Sequence, residues 1–130
     1  MITIIKNEKK NIILEKNPAV RIDHRGRFVL NKALKDLLEI ESEQDGCQFA
    51  IIDSKIGICY SKGEGSFHGS FKVKECSWRF TSKPLIERLI LESFLCEENE
   101  LKYPIVLIAD SDRFHVHEGN KFFLFNLKSN

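Results

Sequence analysis

The sequence predicts a small α+β fold with a β-rich core and two short helices. Three observations predict it. Short apolar runs, alternating or continuous and bounded by turn residues, recur along the chain in the manner of strands. Two stretches place apolar residues at helical spacing behind a capping residue: Ala33, Leu34, Leu37 and Leu38 behind Asn31, and Leu85, Ile86, Leu89 and Ile90 behind Ser82. These two stretches also superpose at an offset of 52, which lays Arg27-Phe28 on Arg79-Phe80 and Asp23 on Glu75. Amphipathic helices resemble one another by chance, so the acid–x–x–x–Arg–Phe match ahead of them carries the repeat.

Taken in order, residues 1–16 read as a hairpin: an apolar run at 2–5, a polar turn at 7–11 and a second run at 12–14. Asn17-Pro18 breaks the chain. Strands at 20–23 and 27–30 flank the turn His24-Arg25-Gly26-Arg27, and the Asn31-capped helix follows. Beyond an acidic loop at 41–45, Cys47, Phe49 and Ile51 alternate, Asp53-Ser54-Lys55 turns the chain, and Ile56, Ile58 and Tyr60 alternate on the return. Residues 61–70 hold three of the seven glycines and read as a linker. The second half repeats the plan. A strand at 71–76 and a helix with Pro84 tolerated in its first turn come first. An acidic loop at 97–100, a buried strand at 105–109 and a turn at 110–112 follow. Strands at 114–117 and 122–127, joined by Gly119-Asn120, end the chain. The expected organisation is a hairpin at 1–16, a first unit at 17–60, a linker at 61–70 and a diverged second unit at 71–130 sharing one core.

At 130 residues and 42% apolar content the chain suffices for one globular core. Its longest apolar runs are too short to span a bilayer, and no secretory signal pattern opens the sequence. The expectation is a cytoplasmic protein without membrane partners. Cys47, Cys59, Cys76 and Cys96 form no C-x-x-C pair, so buried free thiols are expected rather than a zinc or redox site. The net charge is +1 and is evenly spread: residues 1–70 carry 11 Lys and Arg against 10 Asp and Glu, residues 71–130 carry 9 against 9. Binding to nucleic acid must therefore come from a local cluster. Residues 21–27 are such a cluster, with Arg21, His24, Arg25 and Arg27 against Asp23 alone. Guanidinium groups grip phosphate bidentately, and a turn braced by strands loses little entropy on binding.

Residues 20–40 resemble the AbrB/SpoVT–MazE family of swapped-hairpin DNA-binding domains. The family signature is a strand ending in Val/Ile-Asp, then x-x-Gly-Arg, a Val-Val/Ile-Pro run, a short leucine-bearing helix, and a polar loop ending in Asp before a hairpin. Ile22-Asp23, Gly26-Arg27, Phe28-Val29-Leu30, Leu34, Leu38, Ile40 and Asp45 occupy those places, and the 47–60 hairpin follows. The likeness covers residues 20–60, and Asp23 with Arg27 matches the Asp-x-x-x-Arg pattern of the MraZ branch, which carries two units per chain. Two departures stand out. Asn31 replaces the family proline, and the second half has Trp78, not glycine, before Arg79. The resemblance implies two units interleaved into a barrel-like β core, as a homodimer or an intrachain pseudo-dimer. It also implies docking on double-stranded DNA by a transcriptional regulator or antitoxin-like protein. Arg27 is then the signature arginine; Arg21, Arg25 and His24 join it by charge and position. Asp23 and Gly26 would structure the turn, Asp23 by accepting backbone N–H bonds or pairing with Arg27.

A rival expectation is a protein–protein interaction module with this fold and no nucleic acid, which the small net charge favours. His115 and His117 share one strand face, but two imidazoles lack the ligand count of a metal site, and surface histidines are the plainer reading. His68 is expected in solvent. No Walker loop, zinc-protease helix or nucleophile elbow occurs, so no enzyme activity, catalytic residue or cofactor is expected. Trp78, Phe122, Phe123 and Phe125 are assigned to core or interface.

Overall fold

The structure, a computed structural model, describes residues 2, 17–72, 77–92 and 103–127. The hairpin expected at 1–16, the residues Glu75, Cys76 and Cys96, and the acidic loop at 97–100 lie outside the described residues. Among the described residues nine strands and two helices follow one another: β1 (Ala19–Ile22), β2 (Arg27–Leu30), α1 (Lys32–Leu37), β3 (Gly46–Ile52), β4 (Lys55–Ser61), β5 (Phe67–His68), β6 (Ser70–Lys72), β7 (Ser77–Thr81), α2 (Lys83–Glu92), β8 (Ile105–His117) and β9 (Asn120–Leu127). Among the described residues no helix is long and apolar enough to cross a membrane.

All strands join one antiparallel sheet in the order β5-β3-β4-β9-β8-β1-β2-β7-β6. Its two end strands are separated only by Gly69, so the sheet curls into a nearly closed barrel whose seam is one piece of chain. At Gly69 the chain stops pairing with β3 and starts pairing with β7. A Cβ there would lie 2.2 Å from the Arg79 carbonyl oxygen and 2.9 Å from Trp78 Cε2, a space only glycine can occupy. Residues 67–68 and 70, expected within a linker, are therefore strand. The glycine and serine content that reads as flexibility serves a tight barrel corner.

The chain makes two passes of the same kind, β1-β2-α1-β3-β4 and β6-β7-α2-β8-β9. Hairpin pairings stay within a pass (β1 with β2, β3 with β4, β6 with β7, β8 with β9), and every other pairing joins the two passes. Taking β5 and β6 as one strand, exchanging the passes leaves the ring order unchanged. The contact of β2 with β7 has its centre at Phe28 opposite Phe80, with Arg27 opposite Thr81 and Val29 opposite Arg79.

Sequence chemistry explains the elements locally. Asn31 caps α1 by accepting from Leu34 N at 2.9 Å, and its Oδ1 also accepts from Ala19 N at 3.0 Å, tying the start of β1 to the helix. Ser82 Oγ accepts from Leu85 N at 3.3 Å at the start of α2. The β3–β4 and β8–β9 hairpins turn through two residues with positive φ, Asp53-Ser54 and Glu118-Gly119, as the twist of antiparallel strands requires. Inside, Phe28 and Phe80 stack at 4.9 Å, Phe67 stacks on Phe80 at 5.0 Å, and Phe49 meets all three edge-on. Phe28 and Phe80 are buried and each contributes about 1.5–3 kcal/mol by leaving water, whereas Phe49 and Phe67 are half-buried and contribute less. Trp78, Phe122 and Phe125 are buried.

The turn expected at 110–112 is not a turn. Strand β8 runs through it, and the register with β9 shifts between Ala109 and Phe114. Five steps along β8 match two along β9, so the extra residues are absorbed as a bulge rather than a reversal. Past the bulge β9 keeps one pairing with β4, Phe123 opposite Ile58; beyond it, among the described residues, β8 and β9 pair only with each other, forming a ribbon that leaves the barrel.

Candidate nucleic-acid interface

The basic turn is locked by its own acid. Asp23 Oδ1 accepts from Arg25 N and Arg27 N, both at 2.9 Å, while Asp23 N donates to Arg27 O at 3.0 Å and Gly26 N to Asp23 O at 3.1 Å. Burial pushes the Asp23 carboxyl up, but the Arg27 and Arg25 N–H groups and the charges of Arg27 and His24 outweigh it and hold the group below its ordinary value. The Arg27 side chain lies 3.9 Å from Asp23 Oδ2, a loose and exposed pair that leaves most of the guanidinium free.

Gly26 carries the turn's positive φ of +87° and sets its position against α2. A Cβ there would stand 3.0 Å from both the backbone N and the Cγ of Lys83, and the Gly26 carbonyl accepts from Ser82 N at 2.8 Å. The turn therefore rests on the first residues of α2, which brings the exposed Lys83 beside it. His24 meets Tyr103 edge-on at 6.3 Å on the other flank.

Strand alternation spreads the cluster beyond the turn. Phe28, Leu30, Trp78 and Phe80 point into the barrel, so Arg27, Val29, Arg79 and Thr81 point out. Arg21 sits opposite Val29, and Val29 opposite Arg79, which places the two arginines in one row, two strand spacings or roughly 10 Å apart. Arg21, Arg25 and Arg27 are exposed and Arg79 is half-buried. Among the described residues no carboxylate lies within ion-pair distance of Arg21, Arg25, Arg79 or Lys83. The outer face of β1, β2 and β7 therefore presents Arg21, Arg27 and Arg79, and the turn and the start of α2 add Arg25 and Lys83 beside it, five cations in all.

Sequence reasoning named three of the five. Arg79 carried a signal, since the offset of 52 lays it on Arg27, but the absence of glycine beside it drew attention to the turn and away from the strand. Lys83 carried none, because its place depends on the contact between Gly26 and α2.

The other candidates lie elsewhere. Asp45, closing the acidic loop, turns inward. Its carboxylate accepts from Tyr60 OH at 2.6 Å and from Glu41 N and Ser42 N at 2.9 and 3.0 Å, which holds its pKa at about 2. His68 is exposed, as expected, but lies on strand β5 with Nδ1 3.2 Å from the Asp45 carbonyl oxygen. Cys47 and Cys59 are free and buried, and burial pushes both thiols up, which leaves them protonated and unreactive. His115 and His117 are exposed on the ribbon. Antiparallel β1 and β8 place Ile22, at the basic turn, against Ile105, so the ribbon leaves the barrel at the opposite end. Among the described residues no three His, Cys, Asp or Glu side chains gather as metal ligands. Comparison with protein-family models, curated proteins and solved structures finds no match to this chain.

Proposed function

We propose that this protein binds double-stranded DNA as a transcriptional regulator or antitoxin-like component, docking the outer face of β1, β2 and β7 on the phosphate backbone. The observation that carries this reading is the convergence of Arg21, Arg27 and Arg79 on one braced face, with Arg25 on the turn and Lys83 on α2 beside it and Asp23 spent on backbone N–H groups. Arginine forks on a stiff surface meet phosphate at small entropic cost, and such contacts fix position rather than read sequence. In this reading the two passes of the chain are diverged copies of one AbrB-like unit. The ring order and the Phe28–Phe80 centre support it: an approximate two-fold axis through that pair would relate Arg27 to Arg79. One chain would then offer as a pseudo-dimer what a homodimer offers elsewhere, with unequal halves, since the glycine turn occurs once. Retention on heparin at low salt and anisotropy with a random duplex test the proposal. Arg25→Ala with Arg27→Ala should bring elution to lower salt, and a wild-type protein that flows through would end the reading.

The second reading is a protein–protein interaction module. The observation favouring it is the ribbon, whose Phe114 and Val116 are 50% and 57% exposed. Residues of this kind, set outside the barrel, have no role in the phosphate contact.

A further inference from the structure

The ribbon carries a second chemistry that the DNA face does not use. Direct pairing of His115 with Phe122 and of His117 with Asn120 sets both imidazoles on one face of a regular antiparallel ribbon. Their Cα atoms are two residues apart on one strand, roughly 7 Å, a spacing from which two imidazoles converge on one ion. Both are exposed. Glu118 Oε1 lies 3.9 Å from His117 Nε2, on the side where a carboxylate steadies a metal-bound imidazole, which leaves Nδ1 for the metal. Lys121 is drawn to the other face, its Nζ 4.0 Å from the Phe114 ring centroid and 5.2 Å from that of Phe123, so its ammonium does not oppose an ion at the histidines.

We infer that His115 and His117 form half of a divalent transition-metal site, completed by the same two residues of a second copy of this chain. Imidazole suits zinc and its neighbours in the first transition row, and a closed zinc site takes four ligands in a tetrahedron. Two come from one ribbon, and among the described residues no third ligand stands beside them. A two-fold axis through the ion supplies the other two, in the self-complementary way that two-fold interfaces are built. The ribbon's position makes this possible: His115 and His117 are exposed on it beyond the last pairing of β9 with β4, so another ribbon can reach its histidine face. The ion would be structural, holding two barrels by the ends away from their basic turns.

The test uses the full chain after EDTA treatment, with zinc chloride as the probe. Light scattering should show the mass double on adding zinc and return with EDTA, and calorimetry should give half an equivalent of zinc per chain. Cobalt(II) in place of zinc should give the visible absorption of a tetrahedral site. His115→Asn and His117→Asn, both at exposed positions that the fold tolerates, should each abolish the mass change. Zinc uptake that survives both substitutions would assign the metal to other side chains and overturn the inference. So would one zinc per chain with no change of mass, or a mass indifferent to zinc.

Discussion

Arg79→Ala separates a DNA face built on the barrel from one confined to the turn. Each cation that neutralises a phosphate contributes about 0.9 to the slope of log K against log salt. Arg21, Arg25, Arg27, Arg79 and Lys83 together predict a slope of about −4.5, a loss of roughly 500-fold in affinity between 50 and 200 mM salt. Removing Arg79 should reduce the slope by about 1, alike for every duplex sequence, because phosphate contacts carry no base information. Arg79→Lys should restore the slope, since it keeps the charge. Arg113→Ala, in the bulge of β8 away from the turn, should leave it unchanged. Fluorescence anisotropy of a random duplex across a salt series gives each slope, and a thermal melt of each variant checks that the half-buried position 79 still folds. If Arg25→Ala lowers the slope and Arg79→Ala does not, only the turn touches DNA and the two-fold presentation is wrong. If neither lowers it, the phosphate contact lies elsewhere or does not exist.

Two further outcomes test the framework that holds this face. Gly69→Ala pushes a methyl into the Arg79 carbonyl at the barrel seam and should destabilise the protein by about 1–3 kcal/mol in urea denaturation, against a negligible effect at Gly63, where nothing lies within 4 Å. Asp45→Asn removes a carboxylate whose folded pKa, about 2, lies below its ordinary 3.8. A depressed carboxylate pKa contributes stability above the ordinary value and loses it as pH falls towards the folded one. The gap in melting temperature between wild type and Asp45→Asn should be full at neutral pH and should close as pH falls from about 4 to about 2. A gap independent of pH would show that Asp45 acts through shape alone.

What could be read from the sequence is what depends on near neighbours. The helix caps Asn31 and Ser82 act within three residues, as does the bond from Asp23 to Arg25. The stacked pair Phe28 and Phe80 shows the limit: both read as apolar strand residues, and an offset of 52 links them, yet nothing local says that they face each other across β2 and β7. Arg79 inherits that limit, since its outward direction is useful only once β7 lies beside β2. Residues 61–70 misled for the complementary reason. Glycine content reports freedom of the backbone, and it reads the same whether the chain uses that freedom to wander or, as at Gly69, to pass where no side chain fits. Asp110 and Asp112 suggested a turn by composition, whereas β9 absorbs the surplus residues of β8 as a bulge.

The net charge of +1 was the strongest objection to a polyanion partner, and the geometry weakens it. A sum over the chain counts every acid equally, but a phosphate feels charges only within a Debye length, about 8 Å at physiological salt. Three described acids in and after the basic turn, Asp23, Asp36 and Asp45, are occupied. Asp23 is engaged by two backbone N–H groups within the turn, Asp36 is paired with Lys32 and Lys35 on α1, and Asp45 is held inside its own loop by Tyr60 and two backbone donors. None of these carboxylates can be removed from the sum, but Asp36 is compensated by two ammonium groups, and Asp23 and Asp45 are held in place by backbone and hydroxyl donors. The outer face of β1, β2 and β7 can therefore be positive while the protein is neutral. A chain of this kind should show modest affinity that falls steeply with salt, and a weak attraction to polyanions at a distance, because beyond the Debye length its positive face is cancelled by the rest of the molecule.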